Sequence, residues 1–140
     1  MLDEFPITVE VRVAWGDMDA FGHVNNTIFF RWFETARIAY LEAIGFTAGG
    51  EGGGIGPILA SAACRFRRPV TYPATVTVGV RAEAIGEDRF SHVYRVVLGE
   101  TGEVVAEGEG VVVSYDYGAG RKAPIPPDVR GAMARVAGTA

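Results

Sequence analysis

The stretch WGDMDAFGHVNNTIFFRWFETAR, residues 15–37, joins two segments of different hydrophobic period. Upstream, Ile7, Val9, Val11, Val13 and Trp15 alternate with Thr8, Glu10, Arg12 and Ala14, the period-two signature of a half-buried strand. Downstream, residues 27–44 read as one helix, with Gly45 at the position just beyond its C-terminus where a left-handed residue usually sits. The polar positions of that helix gather on a stripe of Arg31, Thr35 and Glu42, with Glu34 and Arg37 as an i,i+3 pair beside it. An apolar arc as wide as the rest predicts a central helix covered on more than one side. Between strand and helix stand two carboxylates, a glycine, a histidine and paired asparagines.

Working outward, residues 48–56 (AGGEGGGIG) predict a loop. From Pro57 the pattern turns to strands at residues 58–66, 74–85, 90–98 and 104–117, broken by Gly86-Glu-Asp and by Gly99-Glu-Thr-Gly102. Pro124-Ile-Pro-Pro127 stops the sheet ahead of a short closing helix. Strands joined by tight turns pair antiparallel, so the order predicts an α+β fold with one antiparallel sheet curled around one long central helix. Neither a repeat nor a second domain is expected within residues 1–140.

The chain has 140 residues, enough to bury a core without disulfide or metal staples, and 49% of them are hydrophobic, which argues against disorder. Its net charge of −4 offers no general attraction to nucleic acid or to an anionic membrane, so an anionic ligand needs local basic clusters. Cys64 is the single cysteine, which excludes an intrachain disulfide and suits a reducing compartment. The N-terminus lacks a basic segment leading into an apolar run, and Arg31, Glu34, Arg37 and Glu42 interrupt the longest apolar stretch. The expectation is a soluble, cytoplasmic protein.

His23, His92 and Cys64 lie far apart with no zinc-binding spacing, so no metal site is expected. There is no G-x-S-x-G elbow, no Walker lysine and no G-x-G-x-x-G. What remains is carboxylate chemistry at Asp17 and Asp19. A helix starting near Asn26 presents unpaired N–H groups and a partial positive charge, suited to an oxygen that becomes negative in a transition state. Asn25 or Asn26 can cap it, Gly22 lets the chain turn tightly, and Asp19 lies too far upstream to be a capping-box partner. Acidic and Asn residues also precede helices for purely structural reasons, so the same pattern is open to being a helix cap alone.

The pattern D-x-D-x-x-G-H-V-N-N at residues 17–26, with the aromatic helix F-F-R-W-F-E-T-A-R after it, resembles the hotdog-fold acyl-CoA thioesterases of the 4-hydroxybenzoyl-CoA thioesterase type. R-F-R-R-P-V at residues 65–70 and Y-P-A-T-V-T-V at 72–78 extend the likeness over roughly residues 5–120. The resemblance implies a hotdog fold, hydrolysis of an acyl-CoA to free acid and coenzyme A, no cofactor beyond the coenzyme A of the substrate, and a homodimer or homotetramer. It matches Asp19 to the catalytic carboxylate, acting as nucleophile or general base, and the backbone N–H of Asn26 to the donor on the thioester carbonyl. Asp17 matches an acid less tied to catalysis, and His23 either touches substrate or hydrogen-bonds the loop. H-V-N-N replaces the apolar and aromatic residues of the aryl-CoA enzymes, so an aryl substrate does not follow.

Coenzyme A carries phosphates, and Asn25, Arg65, Arg67, Arg68, Arg89, Arg121 and Lys122 are the candidates to bind it, some of them across a subunit interface. Phe21, Phe29 and Phe33 are candidates for an acyl pocket. Two other readings compete: a non-catalytic acyl-thioester-binding protein, and an enoyl-thioester hydratase. Hydratases of this architecture use D-x-N-x-x-H, whereas here residues 22 and 24 are Gly and Val.

Overall fold

The structure, a computed structural model, describes residues 2–47 and 54–138. Strand β1 (Ile7–Arg12) is followed by helix α1 (Asn26–Ala43), then by β2 (Ile55–Phe66), β3 (Thr75–Glu83), β4 (Arg89–Leu98), β5 (Val104–Asp116) and the short β6 (Arg121–Lys122). Helix α2 (Pro127–Ala137) closes the chain, with Gly138 left-handed after it. The sheet runs β1-β3-β4-β5-β2, with β6 on β5, and every pairing is antiparallel.

Alternation places the core. Val76, Val78 and Val80 of β3 and Phe90, His92, Tyr94 and Val96 of β4 are all buried. Against them α1 lays Phe29, Trp32, Phe33, Ala36, Tyr40 and Leu41. Phe33 stacks on Tyr94 with ring centroids 4.6 Å apart and planes 13° apart. This is the expected α+β arrangement, a sheet packed around one long helix.

Consecutive strands pair at β3–β4 and β4–β5, but β2 and β3 do not pair. Residues 67–74 instead carry the chain from the β2 edge to the other side of the sheet, past the start of α1. Val24 N–H donates to the Val70 carbonyl and Val13 N–H to that of Ala74, tying this crossing to the strand–helix junction. The topology thus brings Arg67 and Arg68 beside the junction, although forty residues separate them from it in sequence.

Several boundaries depart from expectation. The first strand ends at Arg12 rather than Trp15. Residues Trp15–Asp17 form a 3-10 turn, and Trp15 points out, 73% exposed. The helix spans Asn26–Ala43, and Gly45 takes φ of 69°, as its position predicted. Its apolar arc is wider than this chain covers, since Phe30 and Ile38 are exposed. Strand β2 begins at Ile55, inside the stretch expected to be loop; residues 48–53 of that loop lie outside the described residues. No sequence signal marked β6.

Candidate active site

The junction is a compact loop whose own backbone fixes its tip. Met18 and Val24 form an isolated antiparallel bridge. Within it Asp19 N–H donates to the His23 carbonyl at 2.9 Å and Gly22 N–H to the Asp19 carbonyl at 3.0 Å. Gly22 holds φ of 79°, a conformation glycine adopts without Cβ strain. The Asp19 carboxylate accepts Phe21 N–H through Oδ1 at 2.9 Å, and among the described residues Oδ2 has no protein donor. One oxygen is therefore held while the other is free.

Asn25 is the helix cap. Its Oδ1 accepts Thr27 N–H and the Thr27 hydroxyl, both at 3.0 Å, and its carbonyl accepts Ile28 N–H at 2.9 Å. Its own N–H donates to the Asp17 carbonyl at 2.9 Å. The N–H groups of residues 27 and 28 are thereby satisfied. Asn26 N–H, the first of the helix, has no protein acceptor among the described residues. It stands at the positive end of the 18-residue α1.

Asp19 and Asn26 line one hollow of about 460 Å³, together with Phe21, His23, Phe29, Phe66, Arg67 and Arg68. Phe29 closes against Phe66 edge-on, centroids 5.1 Å apart. The structure thus brings together Asp19, Asn26, His23 and two of the basic candidates. Arg67 pairs with Glu107, and Arg68 with Glu103 at 3.0 Å, but these side chains are substantially exposed. Exposed pairs contribute about 0–1 kcal/mol, so neither guanidinium is held firmly against a competing phosphate.

The remaining candidates lie elsewhere. The Asp17 carboxylate accepts Ala14 N–H at 2.9 Å and closes the 3-10 turn, and Asp17 does not line the hollow. Arg65 lines a separate hollow on the sheet with Cys64, Arg67 and Glu107. Arg89 faces Val113 across β5 whereas Phe66 faces Ala106, seven positions and about 23 Å away at strand rise. Arg89 is bound to Asp88 at 2.8 Å, which lowers the Asp88 carboxyl and raises the Arg89 guanidinium from their ordinary values. Arg121 and Lys122 sit on β6 at the same distant end. Within one chain these three do not reach the hollow. Of the aromatic candidates, Phe21 and Phe29 line it, while Phe33 lines a second opening farther along α1.

Sequence reasoning missed a polar cluster beneath α1. Arg37 donates to the Tyr94 hydroxyl at 3.3 Å, and that hydroxyl lies 3.3 Å from Nδ1 of His92. His92 is fully buried with Nε2 unpartnered among the described residues, and burial first, then the Arg37 charge, lowers its pKa to about 3. The signal was present: His92 and Tyr94 share the inward period of Phe90 and Val96. Among the described residues, no group of three or more His, Cys, Asp or Glu side chains is placed to hold a metal, and no helix is long and apolar enough to cross a membrane.

One long helix packed on an antiparallel sheet of order β1-β3-β4-β5-β2, with a carboxylate and an open amide at the helix start, defines the hotdog class. The family model of the thioesterase-like superfamily matches residues 13–133, and the chain belongs to that superfamily. The PA2801 protein of Pseudomonas aeruginosa is 33% identical, covering 92% of this chain and 98% of its own, with a TM-score of 0.82. A Thermus thermophilus thioesterase crystallised with coenzyme A and zinc is 30% identical, covering 97% of each chain, with a TM-score of 0.83. A 1,4-dihydroxy-2-naphthoyl-CoA thioesterase from Synechocystis shares the fold at 21% identity and a TM-score of 0.82, covering 91% of this chain and 94% of its own. The chain is a thioester hydrolase.

Proposed function

We propose that the chain hydrolyses acyl-CoA thioesters in the hollow between the Asp19 loop and the start of α1. One observation carries this reading: a carboxylate oxygen without a protein donor and a helix-initial N–H without a protein acceptor, both among the described residues, line the same space. The thioester carbonyl accepts the Asn26 N–H and lies along the helix dipole, which stabilises the oxygen as it becomes negative. As a general base Asp19 takes a proton from the water that attacks the carbonyl carbon and later returns it to the thiolate. As a nucleophile it attacks that carbon itself, the thiolate leaves and takes its proton from solvent, and water then cleaves the Asp19–acyl anhydride to free acid. On either route, collapse of the tetrahedral intermediate breaks the carbon–sulfur bond and releases coenzyme A as a thiolate.

Asn25 orients the Asn26 amide through the cap rather than touching substrate, and His23 contacts the substrate at the exposed rim. Arg67 and Arg68, which line the hollow, hold the coenzyme A phosphates. Arg89, Arg121 and Lys122 reach the same nucleotide only from a neighbouring copy, Arg65 lies beside Arg67 in the adjoining hollow, and Asp17 serves the turn.

A neighbouring copy has a place to dock. Strand β2 is a twelve-residue edge strand, exposed along most of its length, that presents Ile55, Ile58, Leu59 and Phe66 to solvent. A long apolar edge of this kind is an invitation to strand pairing, so a homodimer joined along β2 is part of this reading.

The test of the activity is thiol release from acetyl-, hexanoyl-, palmitoyl- and benzoyl-CoA by the folded protein. Turnover on at least one supports hydrolysis, and silence across all of them contradicts it.

A further inference from the structure

A nearly buried cation lies three turns down α1 from Asn26, beside an opening of its own. The Arg37 side chain is 13% exposed, and its partners are the Tyr94 hydroxyl at 3.3 Å and the Glu34 carboxylate at 3.9 Å, the latter 58% exposed. A guanidinium carries five N–H donors, and among the described residues the partners given for Arg37 are this hydroxyl and this distant carboxylate. The deeper partners carry no negative charge. With Tyr94 accepting from Arg37, the tyrosine O–H donates to His92 Nδ1, and His92 is held neutral. Burying a charge is costly unless a counter-charge meets it, and Glu34 is too far and too solvated to serve as one.

The opening holds about 280 Å³. Phe30, Phe33, Leu59 and Ala62 make its walls, and Arg37 and Tyr94 are its polar lining. Arg31 and Glu34 complete it, so two cations face it against one carboxylate. Asn26, Phe30, Phe33 and Arg37 follow i, i+4, i+7 and i+11 spacing and share one stripe of α1. The Asp19 hollow is walled opposite this stripe by Phe66 of β2, and the second opening by Leu59 and Ala62 of the same strand. At helix rise Arg37 lies about 16 Å from Asn26, and its side chain leans back toward the helix start. An acyl chain held by its carbonyl at Asn26 and laid along Phe30 and Phe33 brings its far end to the guanidinium.

We propose that this opening is the subsite for the far end of the acyl group, and that Arg37 with Tyr94 selects medium-length acyl chains ending in a carboxylate. The thioesters so favoured are half-thioesters of dicarboxylic acids. Arg37 supplies the charge-assisted donors and Tyr94 fixes their direction. This rests on the hydrolase reading above and goes beyond it by naming the substrate class.

The experiment compares kcat/KM for octanoyl-CoA and octanedioyl-CoA in wild type, Arg37→Gln and Arg37→Lys. Wild type is expected to prefer octanedioyl-CoA tenfold or more. In Arg37→Gln the preference falls below threefold, mainly through KM, and Arg37→Lys restores part of it. A wild-type preference for octanoyl-CoA, or an equal loss on both substrates in Arg37→Gln, overturns the proposal. Calorimetric titration of wild type with free octanedioate and octanoate needs neither turnover nor a variant. Tighter binding of octanedioate supports the subsite even where no thioester is hydrolysed. Octanedioate binding no tighter than octanoate overturns it even where hydrolysis is fast.

Discussion

The Phe33 ring of α1 rests on the backbone of β5 at Gly108, so closely that a Cβ built on that glycine would lie 2.4 Å from the ring and 2.9 Å from the Ala63 carbonyl of β2. Gly108 faces Tyr94 on one side and Cys64 on the other, so helix and three strands meet there. The missing side chain sets how near α1 approaches the sheet. Gly108→Ala is therefore expected to destabilise the fold by about 1–3 kcal/mol, the usual cost of overpacking, measured by urea unfolding. Wild-type stability in that variant would mean that the helix can lift away freely.

His92 makes stability pH-dependent with a definite sign. Its pKa falls from 6.5 to about 3 in the fold, so between those values the unfolded chain takes up a proton that the folded chain refuses. Its contribution is fully present above pH 6.5 and is lost as pH falls through this window, by at most about 1.4 kcal/mol per pH unit. His92→Gln, which stays neutral, is expected to flatten the pH dependence of unfolding between pH 6 and 4 relative to wild type (roughly the interior of the window). Equal slopes in the two proteins would show that His92 is protonated in the fold.

Much of this molecule was legible in its residues, for reasons that differ by element. Period-two spacing marked β3 and β4 because their inner faces are buried by this chain alone. The Asn25 cap and Gly45 bracketed α1 because both solve backbone problems that any helix end must solve. Trp15 misled, since a large apolar side chain continues an alternation on paper whether or not the backbone has already turned. The Arg37–Tyr94–His92 cluster was illegible as a unit because strand β4 and the middle of α1 meet only in three dimensions. For the same reason the grouping of Arg67 and Arg68 with Asp19 needed the crossing at residues 67–74, and nothing local separated them from Arg89 or Lys122.

Asn25 links stability to catalysis. Asn25→Ala removes the acceptor for Thr27 N–H and is expected to cost about 1 kcal/mol in unfolding free energy. Because the cap also aims the neighbouring Asn26 amide, kcat should fall while KM for coenzyme A esters changes little. A variant with lowered stability and wild-type kcat would confine Asn25 to the fold.

The β2 edge carries the prediction for assembly. Ile58→Lys places a charge on an exposed position of that strand and is expected to shift sedimentation from dimer to monomer without unfolding the chain. A wild type that sediments as a monomer at all concentrations would remove β2 as an interface.

The central claim is that the Asp19 carboxylate performs the chemistry. The most direct measurement is single-turnover thiol release by wild type and Asp19→Asn on whichever acyl-CoA wild type hydrolyses best, with folding of both checked by circular dichroism. The amide oxygen can still accept Phe21 N–H, so the loop should hold its shape. The rate is expected to fall by a factor of about 100 or more, the scale of losing a positioned base or nucleophile. A folded Asp19→Asn protein that releases thiol at the wild-type rate would contradict the account.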